Sequence, residues 1–343
     1  MNWDDKPYHS LDYEMKHRFG EKVYRLALNG GMTCPNRDGT IGRGGCIFCS
    51  AGGSGDFAAP AMLPIPEQLR MQKQLVRTKR PVRAFIAYFQ AYTNTYAPVD
   101  YLEKIFMEAI CDPEVVVLSI ATRPDCLPDE VLDLLDRLNR IKPVWVELGL
   151  QTIHEDTAKL IRRGYALPCF ETAVQALRLR NIEVIVHTIL CLPGEDHHRI
   201  LQTVAYLNTI DIQGVKLQML HVLKDTELAV LYTCKPFFVP TMEEYTQLVI
   251  DCIEQLSPSI VIHRITGDGP GNLLIAPRWS QSKRTVLNRI HAAFRERHTW
   301  QGRTLDAAEP FPDPNAAVQS SLLPHENLSF EGGFSHAGTI HSL

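Results

Sequence analysis

The chain has no apolar run approaching the ~18 residues of a membrane-spanning helix. Its start, MNWDDKPYHS, lacks the basic-then-apolar order of a secretory leader. Positive charge is not in excess: the formal net charge is −4 with 22% charged residues, so nothing global advertises a nucleic-acid partner, although a local basic face is not excluded. There is no repeat of fixed period. No GxGxxG follows the first β-rich run, which argues against a dinucleotide-binding fold. These absences lead to the expectation of a cytoplasmic protein with no membrane partner.

The nine cysteines are an odd number, and six are scattered singly: Cys111, Cys126, Cys169, Cys191, Cys234 and Cys252. All lie in or beside apolar segments, so buried reduced thiols are expected, not a secreted disulfide framework. The other three are gathered in MTCPNRDGTIGRGGCIFCSAGG, as Cys34, Cys46 and Cys49. A structural zinc site uses four ligands and a disulfide two, so one partner is missing. A cluster loop, a zinc site completed by a residue such as His17, and a redox CxxC pair are all open at this point.

With 343 residues, 45% of them hydrophobic, the chain can bury a large core. Near-continuous apolar runs at 22–29, 82–90, 114–121, 143–151, 182–190 and 214–220 read as parallel strands covered on both faces. Helical patterns alternate with them, and Pro128-Asp129-Glu130 is a good helix start. Six βα units predict an α/β fold with a parallel sheet, either doubly wound or a (β/α) barrel. In a barrel, chemistry sits on loops after the strands, where the three cysteines fall. The expected organisation is an N-terminal extension (1–21), a barrel (22–256), a strand and basic helix (257–303) and a mostly disordered tail (304–343).

Here the motifs converge. GGMTCPNRDGTIGRGGCIFC, AYFQAYTNTY, TRPDCLP, WVELGLQT, RRGY and LPGE resemble signatures of radical S-adenosylmethionine (SAM) enzymes, closely those of the YhcC/YtqA-type subfamily. The resemblance runs from about Lys22 to about Trp279 and includes a Cx11Cx2C loop instead of the commoner Cx3Cx2C. It implies a partial (β/α)6 TIM-like barrel and one [4Fe–4S] cluster on Cys34, Cys46 and Cys49. SAM would chelate the open iron and be cleaved to a 5′-deoxyadenosyl radical, with an electron donor such as flavodoxin or ferredoxin.

The resemblance also implies SAM contacts. Phe48 would lie beside the adenine. Gln90, Thr93 and Asn94 stand where the family holds the SAM amino group, departing from its usual Gly-Gly-Glu. Glu147 would bind the ribose hydroxyls and Arg178 the carboxylate, with His187 facing the ribose. For Glu147 the competing reading is a buried ion pair with an arginine, and for Arg178 an ordinary surface arginine. Cys191 replaces a usual Gly and is expected to pack. His221 and Lys224 follow strand six, on the substrate side. Similarity to elongator-type and other tRNA-modifying enzymes implies a tRNA substrate modified at a wobble uridine. The helix Ser282 to Arg297 would then touch phosphates, or else bury Leu287, Ile290 and Phe294 as an ordinary amphipathic helix. A non-catalytic iron–sulfur or zinc module is the alternative.

Overall fold

The seven longer β-runs pair edge to edge in one sheet, all parallel, as their apolar composition requires. The computed structural model describes residues 3–53, 55–78 and 82–305. The expected tail lies, from Asp306 on, outside the described residues.

Along the chain, helix α1 (Leu11–Phe19) precedes β1 (Val23–Leu28), and α2 (Ile65–Arg77) leads to β2 (Ala84–Phe89). Then come α3 (Val99–Ile110), β3 (Val115–Thr122), α4 (Asp129–Asn139), β4 (Val144–Gln151), α5 (Glu155–Leu160), α6 (Leu167–Arg178) and β5 (Glu183–Leu190). After α7 (His197–Leu207) follow β6 (Gly214–Met219), β7 (Val222–Leu223), α8 (Glu227–Cys234) and α9 (Met242–Glu254). The chain continues through β8 (Val261–Arg264), β9 (Leu274–Ala276) and α10 (Lys283–Arg297). The sheet order is β1-β2-β3-β4-β5-β6-β8, while β7 and β9 form a small antiparallel pair. The six expected strands are all present, and SIVIHRI supplies a seventh, β8, beside β6.

The sheet is curled into an open half-barrel. Arg25 on edge strand β1 reaches across the concave face to His263 on the other edge strand, β8, at 2.8 Å. Helices cover the convex face, where Phe85, Phe89, Phe106, Leu118, Val146 and Val186 form the main core. On the concave side, Met15 of α1 joins Ile86, Val117, Trp145 and Ile185 in a separate apolar plug. Arg18 of α1 pairs with Glu183 at the first residue of β5 (2.6 Å), so α1 sits at the N-terminal ends of the strands. The described residues up to Leu305 belong to one compact unit. Among the described residues no helix is long and apolar enough to cross a membrane.

The basic helix is amphipathic, with its apolar face in the core. Val286, Ile290, Ala293 and Phe294 of α10 are buried, and Leu287 packs against the same core. Lys283 pairs with Asp268, Arg289 with Glu243 and Glu296, and Arg297 with Asp251 and Glu254. The single cysteines divide: Cys126, Cys191 and Cys252 are buried as expected, but Cys111 and Cys234 are exposed and Cys169 is half-buried.

Candidate active site

Among the described residues from Asn29 to Pro64 the chain runs without helix or strand over the C-terminal ends of the strands. Its ends are clamped by the buried Gln68, which accepts from the Asn29 amide and donates to the Asn29 and Leu63 carbonyls. Inside this loop the Cys49 amide bonds the Cys46 carbonyl at 3.0 Å, and the Ile47 amide bonds the Ile161 carbonyl at 3.2 Å. Asn36 Nδ2 donates to the Arg162 carbonyl (2.7 Å) and to Cys46 Sγ (3.6 Å). Gly45 has φ +86°, and a Cβ there would come within 2.9 Å of Arg37 Nε, so only glycine lets Arg37 reach the Cys49 and Ser50 carbonyls.

Cys34, Cys46 and Cys49 all line one cavity of about 600 Å³ at the barrel mouth. All three are half-buried and none is in a disulfide. Among the described residues no three His, Cys, Asp or Glu side chains converge as a single metal ion needs. His17 stacks on Tyr13 within α1, at the opposite end of the barrel. His17 is therefore not placed to complete a zinc site with these cysteines. Thiolate donors, a glycine-rich loop and the nearby cations Arg37 and Arg123 fit an iron–sulfur cluster. Arg123 is fixed by both oxygens of Asp125 (2.9 and 2.7 Å), by the Arg163 carbonyl (2.9 Å) and over the Tyr165 ring.

Beneath the mouth lies a polar layer drawn from all seven strands: Arg25, Tyr88, Ser119, Glu147, His187, Lys216 and His263. At its centre Glu147 is fully buried. It accepts from Ser119 Oγ (2.8 Å), contacts His187 Nε2 (2.6 Å), pairs with Lys216 Nζ, and lies 3.5 Å from Arg25 Nη2. Burial alone would raise the Glu147 carboxyl, but Lys216, Arg25 and His187 outweigh it and hold the group well below the usual carboxylate range. Burial, reinforced by Lys216, pushes His187 down to about 4, so it is neutral near pH 7. Gly214 leaves room for His263, because a Cβ would come within 2.6 Å of its ring.

The cavity gathers most of the expected SAM contacts but not all. Phe48, Gln90, Thr93, Glu147 and His187 line it. Phe48 also packs against the apolar cluster of Ile47, Ile161 and Leu192. Asn94 does not line it. Its amide is buried below the lip, donating to the Phe89 and Ala121 carbonyls.

One expectation needs correction. Arg178 ends α6, and a helix entering a strand ends at the barrel's other end. There it bonds Asp211 and the Ile182 carbonyl at 2.9 Å each, far from any SAM carboxylate at the mouth. Glu147 lines the cavity but lies fully buried among its partners, which matches the competing reading of a buried ion pair. Its partners are Lys216 and Arg25, which the sequence reading passed over although both interrupt apolar strands. Arg123 and Tyr165 sit inside TRPDCLP and RRGY yet were not singled out. Cys191 packs as expected, and its burial pushes the thiol up to about 12. His221 lines the cavity and meets Ser280 Oγ at 3.1 Å, whereas Lys224 bonds the Asn272 carbonyl at 3.0 Å.

A family model described as the radical SAM superfamily matches residues 36–207, and one described as the radical SAM C-terminal domain matches 212–296. The chain belongs to the radical SAM superfamily: it is a radical SAM enzyme, of a family built around a [4Fe–4S] cluster and SAM. Within it, the uncharacterized protein YtqA of Bacillus subtilis is 44% identical over 305 residues, 89% of this chain and 95% of that one. Protein YhcC of Escherichia coli is 38% identical over 294 residues, 85% and 93% of the two chains. A shorter match, 27% over 164 residues, is to a tRNA uridine(34) acetyltransferase of Methanocaldococcus infernus, covering 47% of this chain and 30% of that one. Among solved structures, the Elp3 of Methanocaldococcus infernus shares the fold, with a TM-score of 0.62 at 17% identity over 85% of this chain and 69% of that one.

Proposed function

We propose that this enzyme cleaves SAM reductively at a [4Fe–4S] cluster held by Cys34, Cys46 and Cys49, and that its substrate is a tRNA modified at a wobble uridine. The carrying observation is that Cys34, Cys46 and Cys49, all half-buried and none in a disulfide, line one cavity at the barrel mouth. When bound, the cluster supplies one electron to the SAM sulfonium, from a donor such as flavodoxin or ferredoxin.

The chain's own residues bind and enclose. Phe48 offers a ring face, while Gln90 and Thr93 offer polar atoms at the end of β2. The plug below the polar layer closes the barrel floor to water. The tRNA reading is supported by the partial match to a tRNA uridine(34) acetyltransferase.

Anaerobic reconstitution followed by a 5′-deoxyadenosine assay with dithionite, with and without cellular tRNA, tests both parts. Product formed in either case supports the cleavage chemistry, and stimulation by tRNA supports the substrate. A fully loaded cluster that yields none returns the protein to a non-catalytic module.

A further inference from the structure

The cavity has two chemically different ends. The cysteine loop lies at one. The other is built by the C-terminal segment, where Arg264 of β8 and Lys283, the first residue of α10, face the cavity together with His221 and Ser280. Arg264 and Lys283 share a single carboxylate oxygen, Asp268 Oδ2, at 3.4 and 2.7 Å. On the floor, Arg25 and Lys216 share the Glu147 carboxylate, one at each oxygen.

Each carboxylate thus serves two cations. Were Lys216 to give up its proton, Arg25, Arg264 and Lys283 would still outnumber Glu147 and Asp268 by one charge. The histidines add no negative charge, and burial holds His187 and His221 down to about 4 each. Arg25 Nε is buried without a hydrogen-bond partner. An excess of positive charge in a recess is costly until an anion enters, and it draws anions in. Arg37 and Arg123 stand at the cysteine end and cannot supply this field's partner.

We infer that the end of the cavity formed by Arg264 and Lys283 is the binding site for an oxyanion carried by the substrate. A phosphate or carboxylate would displace or share the Asp268 contact, with Arg25 beneath it on the floor. This rests on the proposed enzymatic reading for its biological sense, but the site itself needs neither cluster nor SAM. In the tRNA reading the oxyanion is a backbone phosphate. A small anionic metabolite presents the same chemistry.

The test is equilibrium binding to the full chain without cluster at low salt, using uridine, uridine 5′-monophosphate and whole tRNA as probes. The monophosphate is expected to bind about tenfold more tightly than uridine, as one partly desolvated charge pair allows. Lys283→Gln and Arg264→Gln should each cost about fivefold with the monophosphate or tRNA and leave uridine unchanged. Arg289→Gln, on the same helix but paired with Glu243 and Glu296, serves as the control and should change nothing. Variant-sensitive binding of tRNA alone would place the oxyanion on a macromolecule, and of the monophosphate as well on a single nucleotide. Equal affinity for charged and uncharged probes, or affinities that ignore both substitutions in variants of unchanged melting temperature, overturns the inference. The 5′-deoxyadenosine assay is a separate readout, so failure of the cleavage reading and failure of this site are told apart.

Discussion

Lys216 Nζ and Glu147 Oε2 meet in the middle of the concave face, two strands apart, where neither reaches solvent. Burying both charges is tolerable only while each compensates the other. Glu147→Gln leaves Lys216 and Arg25 crowded without a counter-charge and should cost roughly 3 kcal/mol or more in urea unfolding. Adding Lys216→Met should restore part of that loss. A single substitution costing under about 1 kcal/mol would show that Glu147 does not hold the layer together.

Acid should weaken the same layer. His187 has its pKa lowered to about 4 in the fold from an unfolded value near 6.5. The unfolded chain therefore binds the proton first. The stability from neutral His187 is present above pH 6.5 and is lost as pH falls towards 4, roughly 2 kcal/mol by pH 5. The melting temperature of wild type should drop more steeply between pH 7 and 5 than that of His187→Asn. Parallel curves would contradict this.

In the cysteine loop, Gly45→Ala must both hold φ +86° and push Arg37 off the Cys49 and Ser50 carbonyls. Iron retained after anaerobic reconstitution should fall by half or more, at a stability cost of about 1–2 kcal/mol. Normal iron loading would mean that the Arg37 brace is dispensable.

Arg178→Ala tests a correction. With its guanidinium spent on Asp211 and the Ile182 carbonyl, its removal should leave SAM affinity unchanged and lower stability by no more than about 1 kcal/mol. Loss of SAM binding in a folded variant would reinstate it at the site.

The strands were legible because each is covered on both faces and reads as an apolar run. The cysteine loop was legible because it follows the first of them. Less was readable in the charges. Arg25, Glu147, His187 and Lys216 each break an apolar strand, and together they form one layer, but only Glu147 and His187 drew notice. Their shared depth depends on how far neighbouring strands are offset, which pairing register fixes and local pattern does not. Arg178 rested on resemblance alone, although a helix end that leads into a strand lies at the N-terminal ends of the strands, away from the mouth. The Asp268 pairing with Arg264 and Lys283 joins a strand end, a loop and a helix start, and no local pattern announces it.

The central claim is a three-cysteine cluster with one iron left for SAM. Electron paramagnetic resonance of the dithionite-reduced, anaerobically reconstituted protein, recorded with and without SAM, tests it most directly. Four irons per chain and a cluster signal that changes on adding SAM are predicted, with the cluster lost in Cys34→Ala, Cys46→Ala and Cys49→Ala but kept in Cys191→Ala. A full cluster whose signal ignores SAM, or equal iron loss in Cys191→Ala, would contradict the account.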